Sequence, residues 1–278
     1  MKIFIPSYQR AYMVRAGTLA WIPKSYHKDT IIVVRDEEFG KYMNQMMKDS
    51  TYATVGILGV PATGIGDKRQ MILEHCVKKE YKYFTMMDDD LQFFRRKDPS
   101  TTNLIPATED DMVQMLVAMQ RGLARYSHVG VSARQGNNAA GIGSADVIRE
   151  QNVRVMRAVA FRTKEYASIE HNRINGIEDF DATLQLLRKG HSNLNLYWWA
   201  QDQQQTNAPG GCSVWRTKKY HEDNVRRLKE LHSDFVTLVP KENKTGGDFG
   251  TRLEVRVQWK EAWKEGQRAL SNSRRNSG

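Results

Sequence analysis

The chain has 278 residues and a formal net charge of +10; 40% of it is hydrophobic, 27% is charged, and it holds two cysteines. That length suits one large core or a domain with an appendage, the composition is ordinary for a folded protein, and the two cysteines point to a reducing cytosol and exclude a disulfide framework. No apolar run approaches bilayer length, "MKIFIPSYQR" shows no signal-peptide pattern, and the positive charge favours a polyanion: nucleic acid, anionic membrane or phosphorylated small molecule.

In chain order, strand-like runs alternate with helical patterns. "KIFIPSY" reads as a strand turning at Pro6, "TIIVVRDEE" (30 to 38) as a buried strand ending in acids, and "TVGILGVP" (54 to 61) as a third strand. "GIGDKRQMILEHCVKKE" is a Gly-rich turn opening a helix, with Asp67 at the N-cap, Gln70 three residues on, and Ile72, Leu73, Cys76 and Val77 on one face. "YKYFTMM" is the next strand and runs into Asp88, Asp89 and Asp90. Thr108 and Asp111 form a capping box for a helix with Met112, Met115, Leu116, Met119 and Leu123 on its core face. "HVGVSAR" and "VRVMRAVAFR" follow as strands. "EDFDATLQLLRKG" is a helix with acids at its N-terminus and Lys189-Gly190 at its end, as the helix dipole prefers. "LYWWAQDQQQ" is strand-like, a basic helix starts near Lys218, and residues 266 to 278, "GQRALSNSRRNSG", read as a short disordered tail. The pattern predicts an α/β fold with a sheet mostly parallel in its first half, with no internal repeat and no interdomain linker.

Ligands of open α/β sheets sit beyond the carboxyl ends of the strands. Pro6, Ser7, Tyr8 and Arg10 follow the first strand, Asp36 and Glu37 the second, Gly66, Lys68 and Arg69 the third, and Asp88 to Asp90 the fourth. An aromatic, acids and cations at one edge suit a nucleoside diphosphate and its metal. Three adjacent carboxylates repel one another unless something positive sits among them: a metal ion, or a cluster of Arg and Lys. Asp-x-Asp at a strand end is a compact hard-cation site, with a helix-capping cluster as the alternative.

"IFIPSYQR", "GIGDKRQ", "FTMMDDD" and "GIEDFDATLQLLRKGH" occur in the order seen in nucleotide-sugar glycosyltransferases of the GT-A fold. "EDFDATLQLLRKGH" resembles the Glu-Asp-x-Asp helix of the family 2 glycosyltransferases. Together with "VGVSARQGNN", "PGGCS" and "RLEVRVQW" the set is similar to the phage TET-associated glycosyltransferases, which place sugars on 5-hydroxymethylpyrimidines in DNA. The Gln-x-x-Arg-Trp ending of family 2 is absent, and "QQQTNAPGGCSVWR" (203 to 216) stands in its place.

The resemblance implies a GT-A-type, Rossmann-like, mostly parallel central sheet flanked by helices, with a C-terminal acceptor-side extension. Residues 1–265 would form one domain, its donor-binding half about 1–130 and its acceptor half about 131–265. It implies Asp88 and Asp90 as ligands of Mn²⁺ or Mg²⁺, with Asp88 also facing the ribose and Asp89 a flexible middle position. Pro6, Ser7, Tyr8 and Arg10 would border the nucleotide, Asp36 or Glu37 the base, and Gly66 and Arg69 the diphosphate. Asp179 would be the general base, with Glu178 beside it; helix capping is the plainer alternative. The expected donor is a UDP-sugar, UDP-glucose first, and the acceptor DNA carrying 5-hydroxymethylcytosine or 5-hydroxymethyluracil, in the host bacterial cytoplasm and with no membrane partner. On the acceptor side Arg134, Asn137 and Asn138, with Trp198 and Trp199 as a stacking platform, are the candidates; a hydrogen-bonded turn for the first three and core packing for the tryptophans are the plainer alternatives. Arg154, Arg157, Arg162 and the basic helix from Lys218 are candidates for phosphate contacts, and neither His191 nor His221 is assigned to a metal. The competing readings are a glycosyltransferase for glycan, protein or small-molecule acceptors, a sugar nucleotidyltransferase, and a non-catalytic nucleic-acid-binding protein.

Overall fold

In the computed structural model, described over residues 1–203, 217–242 and 251–276, the first four apolar runs become β1 (Lys2–Pro6), β2 (Thr30–Arg35), β3 (Gly56–Val60) and β4 (Tyr83–Met87). They pair in parallel, so their carboxyl ends lie at one edge. β9 (Ala158–Arg162) runs against β4, followed outward by β7 (His128–Ala133), β10 (Asn193–Gln203), β5 (Leu91–Arg96) and β6 (Leu104–Pro106), with β8 (Arg149–Gln151) on β10. The order is β3-β2-β1-β4-β9-β7-β10-β5-β6, and only β5, β8 and β9 run against β1. This is the mostly parallel sheet the sequence predicts. Strands from either side of residue 130 interleave in it, so the expected donor and acceptor halves share one sheet.

Helices cover the sheet because an apolar stripe has to be buried. α1 (Phe39–Met46) and α2 (Ile65–Lys78) follow β2 and β3. α3 (Glu109–Gly122) has the expected capping box between Thr108 and Asp111, and Met112, Met115, Leu116 and Met119 are buried in the core. A one-turn helix, α4 (Thr163–Tyr166), follows β9. α5 (Glu178–Arg188) is shared by two cores. Ala182 and Leu186 pack with Ile72, Leu73 and Cys76 of α2, whereas Phe180, Leu184 and Leu187 pack on the C-terminal unit. That unit comprises α6 (Lys218–Leu231), the hairpin β11 (Val236–Lys241) and β12 (Arg252–Val257), and α7 (Trp259–Asn276).

Four expectations change. α2 starts at Ile65 with Gly64 as N-cap; Asp67 lies inside its first turn and accepts from the Thr63 N–H and hydroxyl, which caps the helix from within. Val77 is 48% exposed and outside the core face. The strand expected from 153 begins at Ala158, because Arg157 adopts φ 63°, a left-handed conformation that breaks an extended run. The tail expected from 266 continues α7 to Asn276, anchored by Ala262 and by Trp259 and Trp263 on the C-terminal core, and the run holds no proline to stop it.

Candidate active site

β1 and β4 are neighbours, so the turn after Pro6 meets the turn after Met87. The first turn is pinned from below. The Tyr42 hydroxyl, on α1, bonds the Ser7 hydroxyl at 2.7 Å and accepts from the Arg10 N–H at 3.0 Å, while buried Glu38 accepts from the Gln9 N–H at 2.7 Å. So held, Arg10 reaches across to Asp89 at 2.6 Å and Asp90 at 2.9 Å, and the Ser7 hydroxyl donates to the other Asp89 oxygen. On the far side Arg69 of α2 pairs with Asp88 at 2.6 Å and with Glu178, at the N-terminus of α5, at 3.1 Å. The three aspartates thus carry their cations within the chain: Arg10 and Arg69.

A second brace escaped the sequence reading. The Thr18 N–H donates to the Asp89 carbonyl at 3.0 Å, its hydroxyl donates to the Asp88 carbonyl and accepts from the Leu91 N–H at 2.8 Å. The chain approaches so closely that a Cβ at Gly17 would lie 2.0 Å from the Asp89 carbonyl oxygen. A Gly-Thr pair some seventy residues before the acids carries no local sign of this role.

Burial sets the electrostatics. The Asp88 carboxyl is pushed up to about 6, chiefly by burial and further by Asp90, with Arg69 and Arg157 opposing. Asp89 is also raised, by burial more than Arg10 can offset. Glu178 is pushed up to about 7 by burial, with Arg69 opposing and Asp179 adding to the rise. Burial lowers the Arg10 guanidinium, but Asp89 and Asp90 more than reverse that. Perturbed acids gathered in a cleft are a mark of a functional site.

The cleft at this edge is lined by Pro6, Tyr8, Arg10, Arg69, Asp88, Asp89, Asp90, Glu178 and Asp179, all singled out in the sequence. Ser7 lies beneath the floor, buried and bonded to Asp89. Asp89 is held by Ser7 and Arg10 rather than free as a flexible middle position. Gly66 packs behind the wall, where a Cβ would meet the Ile174 carbonyl and Asn175 at 2.9 Å. Asp36 and Glu37 are exposed and outside the cleft lining; it is Glu38 that turns inward. The acceptor candidates are not gathered here. Asn137 is buried and spends its amide on Ser132, the Tyr197 carbonyl and the Trp199 carbonyl. Trp199 is buried in the core with Trp198 against it, because the register of β10 on β7 shifts between Leu196 and Ala200 and turns the pair inward. Arg134 lies over the Phe94 ring and 3.6 Å from Asp202, and Asn138 is exposed elsewhere. His221 bonds the Leu253 carbonyl at 3.0 Å, and the segment 204–216, with "PGGCS", is outside the described residues.

The cleft adds residues the sequence did not place there. Arg154 pairs with Asp179 at 3.2 Å and lies 3.8 Å over the Phe180 ring. Arg157 and Gln203 line the wall, and Tyr220 of α6 closes it, its hydroxyl donating to the Asn175 carbonyl at 2.7 Å. Arginines at 154 and 157 inside an apolar run were the available signal.

The donor chemistry fits a hard divalent cation. Among the described residues five carboxyl groups and four guanidiniums line the cleft, and a diphosphate entering would bring further negative charge to them. Among the described residues no three His, Cys, Asp or Glu side chains form a cage. Asp88, paired through one oxygen and 25% exposed, and Asp90, paired with Arg10 at 2.9 Å and within 3.5 Å of Gln203, would be the oxygen donors to such a cation.

A family model for TET-associated glycosyltransferases matches residues 1–211. No curated protein matches the chain. Among solved structures, the mannosyltransferase PcManGT from Pyrobaculum calidifontis, in complex with GDP-Man and Mn²⁺, is similar at 12% identity over 84% of this chain and 64% of its own, with a TM-score of 0.51. TarS from S. aureus, in complex with UDP, is similar at 11% identity over 84% of this chain and 66% of its own, with a TM-score of 0.46. The chain thus spans just under two thirds of either structure's length, and the likeness to the mannosyltransferase shows a shared GT-A fold.

Proposed function

The chain belongs to the TET-associated glycosyltransferase family, and from that premise we propose that it moves a sugar from a UDP-sugar to the hydroxymethyl group of a 5-hydroxymethylpyrimidine in DNA, with a divalent cation. The observation that carries this reading is the Arg69 guanidinium, which spans Asp88 and Glu178 and so joins the donor-side acids to the helix acids in one cleft.

In this reading Tyr8 and Arg10 border the nucleotide and Arg69 lies against the diphosphate. Asp179, less buried than Glu178, takes the proton from the acceptor hydroxyl as its oxygen bonds to the anomeric carbon. The bond from that carbon to the diphosphate oxygen breaks, and its electron pair leaves with UDP. Arg69 and Arg10 stabilise the charge that grows there. A divalent cation on Asp88 and Asp90, when bound, neutralises part of the same charge. Glu178 fixes Arg69. Arg154 orients Asp179 through their ion pair and its stacking on Phe180.

The acceptor half of the proposal rests on family membership and the +10 charge, because the cleft gathers none of the five acceptor candidates. The test is mass spectrometry of nucleosides from DNA containing 5-hydroxymethylcytosine or 5-hydroxymethyluracil, incubated with the protein, Mn²⁺ or Mg²⁺ and a panel of UDP-sugars. A metal-dependent gain of one sugar, absent in Asp88→Ala/Asp90→Ala, is expected. Release of UDP with unmodified DNA would transfer the reading to a glycan, protein or small-molecule acceptor. Neither event across the panel would overturn it.

A further inference from the structure

Every other guanidinium of the cleft is committed to a carboxylate: Arg10 to Asp89 and Asp90, Arg69 to Asp88 and Glu178, Arg154 to Asp179. Arg157 is different. It lines the same cleft, is only partly buried, and has no carboxylate within ion-pair distance among the described residues; its side-chain hydrogen bond is a long 3.4 Å contact to Gln201.

Its backbone shares a positive φ with Gln9, Glu80 and Asn152, and of these four Arg157 alone lines the cleft. Arg157 sits at φ 63°, a left-handed conformation that strains a side chain and that glycine adopts freely. The conformation turns the Arg157 carbonyl onto the Asp88 N–H at 2.9 Å and starts β9 at the next residue. Glycine would serve that backbone better. A bulky cation at positive φ, beside the acids and with no ion pair among the described residues, points to a use for the side chain itself.

We propose that Arg157 binds the diphosphate of the nucleotide-sugar donor and holds its terminal phosphate as the sugar leaves. The inference rests on the proposed donor site and adds to it a specific anion contact. An uncommitted guanidinium is the group that can take a phosphate without first giving up a protein partner, and its planar fork suits two phosphate oxygens.

The test compares UDP and UMP binding, with Mg²⁺ or Mn²⁺, by calorimetry on the full chain as wild type, Arg157→Gly and Arg157→Lys, together with their melting temperatures. Arg157→Gly should keep or raise the melting temperature while weakening UDP by roughly 10- to 150-fold, the range of a hydrogen bond to a charged group. UMP should change far less, so that the preference for UDP over UMP collapses. Arg157→Lys should recover part of that preference. Arg157→Gly that binds UDP like wild type overturns the inference. So does an equal loss for UDP and UMP, an equal loss in Arg157→Gly and Arg157→Lys with a fall in melting temperature, or a loss confined to DNA binding. Wild type that fails to bind UDP at all overturns the donor site itself, a different failure.

Discussion

Two acidic clusters sit one helical turn apart on α5, and they are built in opposite ways. Asp181 is fully buried and its charge is answered in full: Arg173 holds both oxygens, His232 bonds one at 2.7 Å, and Gln185 donates at 2.8 Å. Burial works to raise its pKa, but those hydrogen bonds win and hold it below the usual carboxylate range. Glu178, three residues earlier, shares one arginine with Asp88, and there burial wins, as it does for Asp88 and Asp89. The first cluster is complete and ties α5 to α6 through His232. The second is short of positive charge, as a site must be if a cation or cationic ligand is to bind with gain.

The largest expected effect breaks the incomplete cluster. Asp88→Ala with Asp90→Ala should lower sugar transfer by about 1,000-fold or more while leaving the melting temperature unchanged or higher. Transfer assays beside thermal unfolding read both halves. A variant that unfolds early while the remaining folded protein stays active would make these acids structural.

The mirror experiment is Asp181→Ala. It strands Arg173 and His232 at a buried junction between α5 and α6, and should cost about 3–5 kcal/mol of stability in denaturant unfolding. Activity per folded molecule should hold. Loss of activity without loss of stability would erase the contrast.

How much of this was open to inspection in the sequence differs in the same way. Local signals were legible: the strand ends, the Thr108–Asp111 capping box, the acids at Asp88 to Asp90 and at the start of α5. What the acids pair with was not, because Arg10 lies about eighty residues from them in sequence and the Gly17–Thr18 brace about seventy. The tryptophans took the plainer of their two readings, the core, for a related reason. Alternation along β10 puts Trp198 and Trp199 on opposite faces, but a register shift between Leu196 and Ala200 brings both against one core. Three extra residues in β10, 197 to 199, between its pairs with Val131 and Ser132 leave no mark in composition, yet they remove a stacking platform from the candidate acceptor side.

The pH dependence sharpens the comparison with a smaller effect. The free-enzyme profile of kcat/KM should rise with pH through the window set by Asp88, near 6, and Glu178, near 7, because the carboxylates must ionise to hold a cation and to fix Arg69. A profile flat across that window would mean that these groups are already ionised in the free enzyme.

The smallest effect is also the most specific to the contrast. Glu178 has a pKa near 7 in the fold against an ordinary 4.5. A group raised in this way contributes stability below the ordinary value and loses it as pH rises through the folded value. Glutamine at 178 keeps the shape and never ionises, so it should escape that loss. Glu178→Gln should therefore melt a few degrees above wild type at pH about 8 and match it near pH about 4. It should also transfer sugar about 10- to 100-fold more slowly, since Arg69 loses one of its two charged anchors. A melting difference that ignores pH would mean that ionised Glu178 costs the fold nothing, and the two clusters of α5 would then be alike.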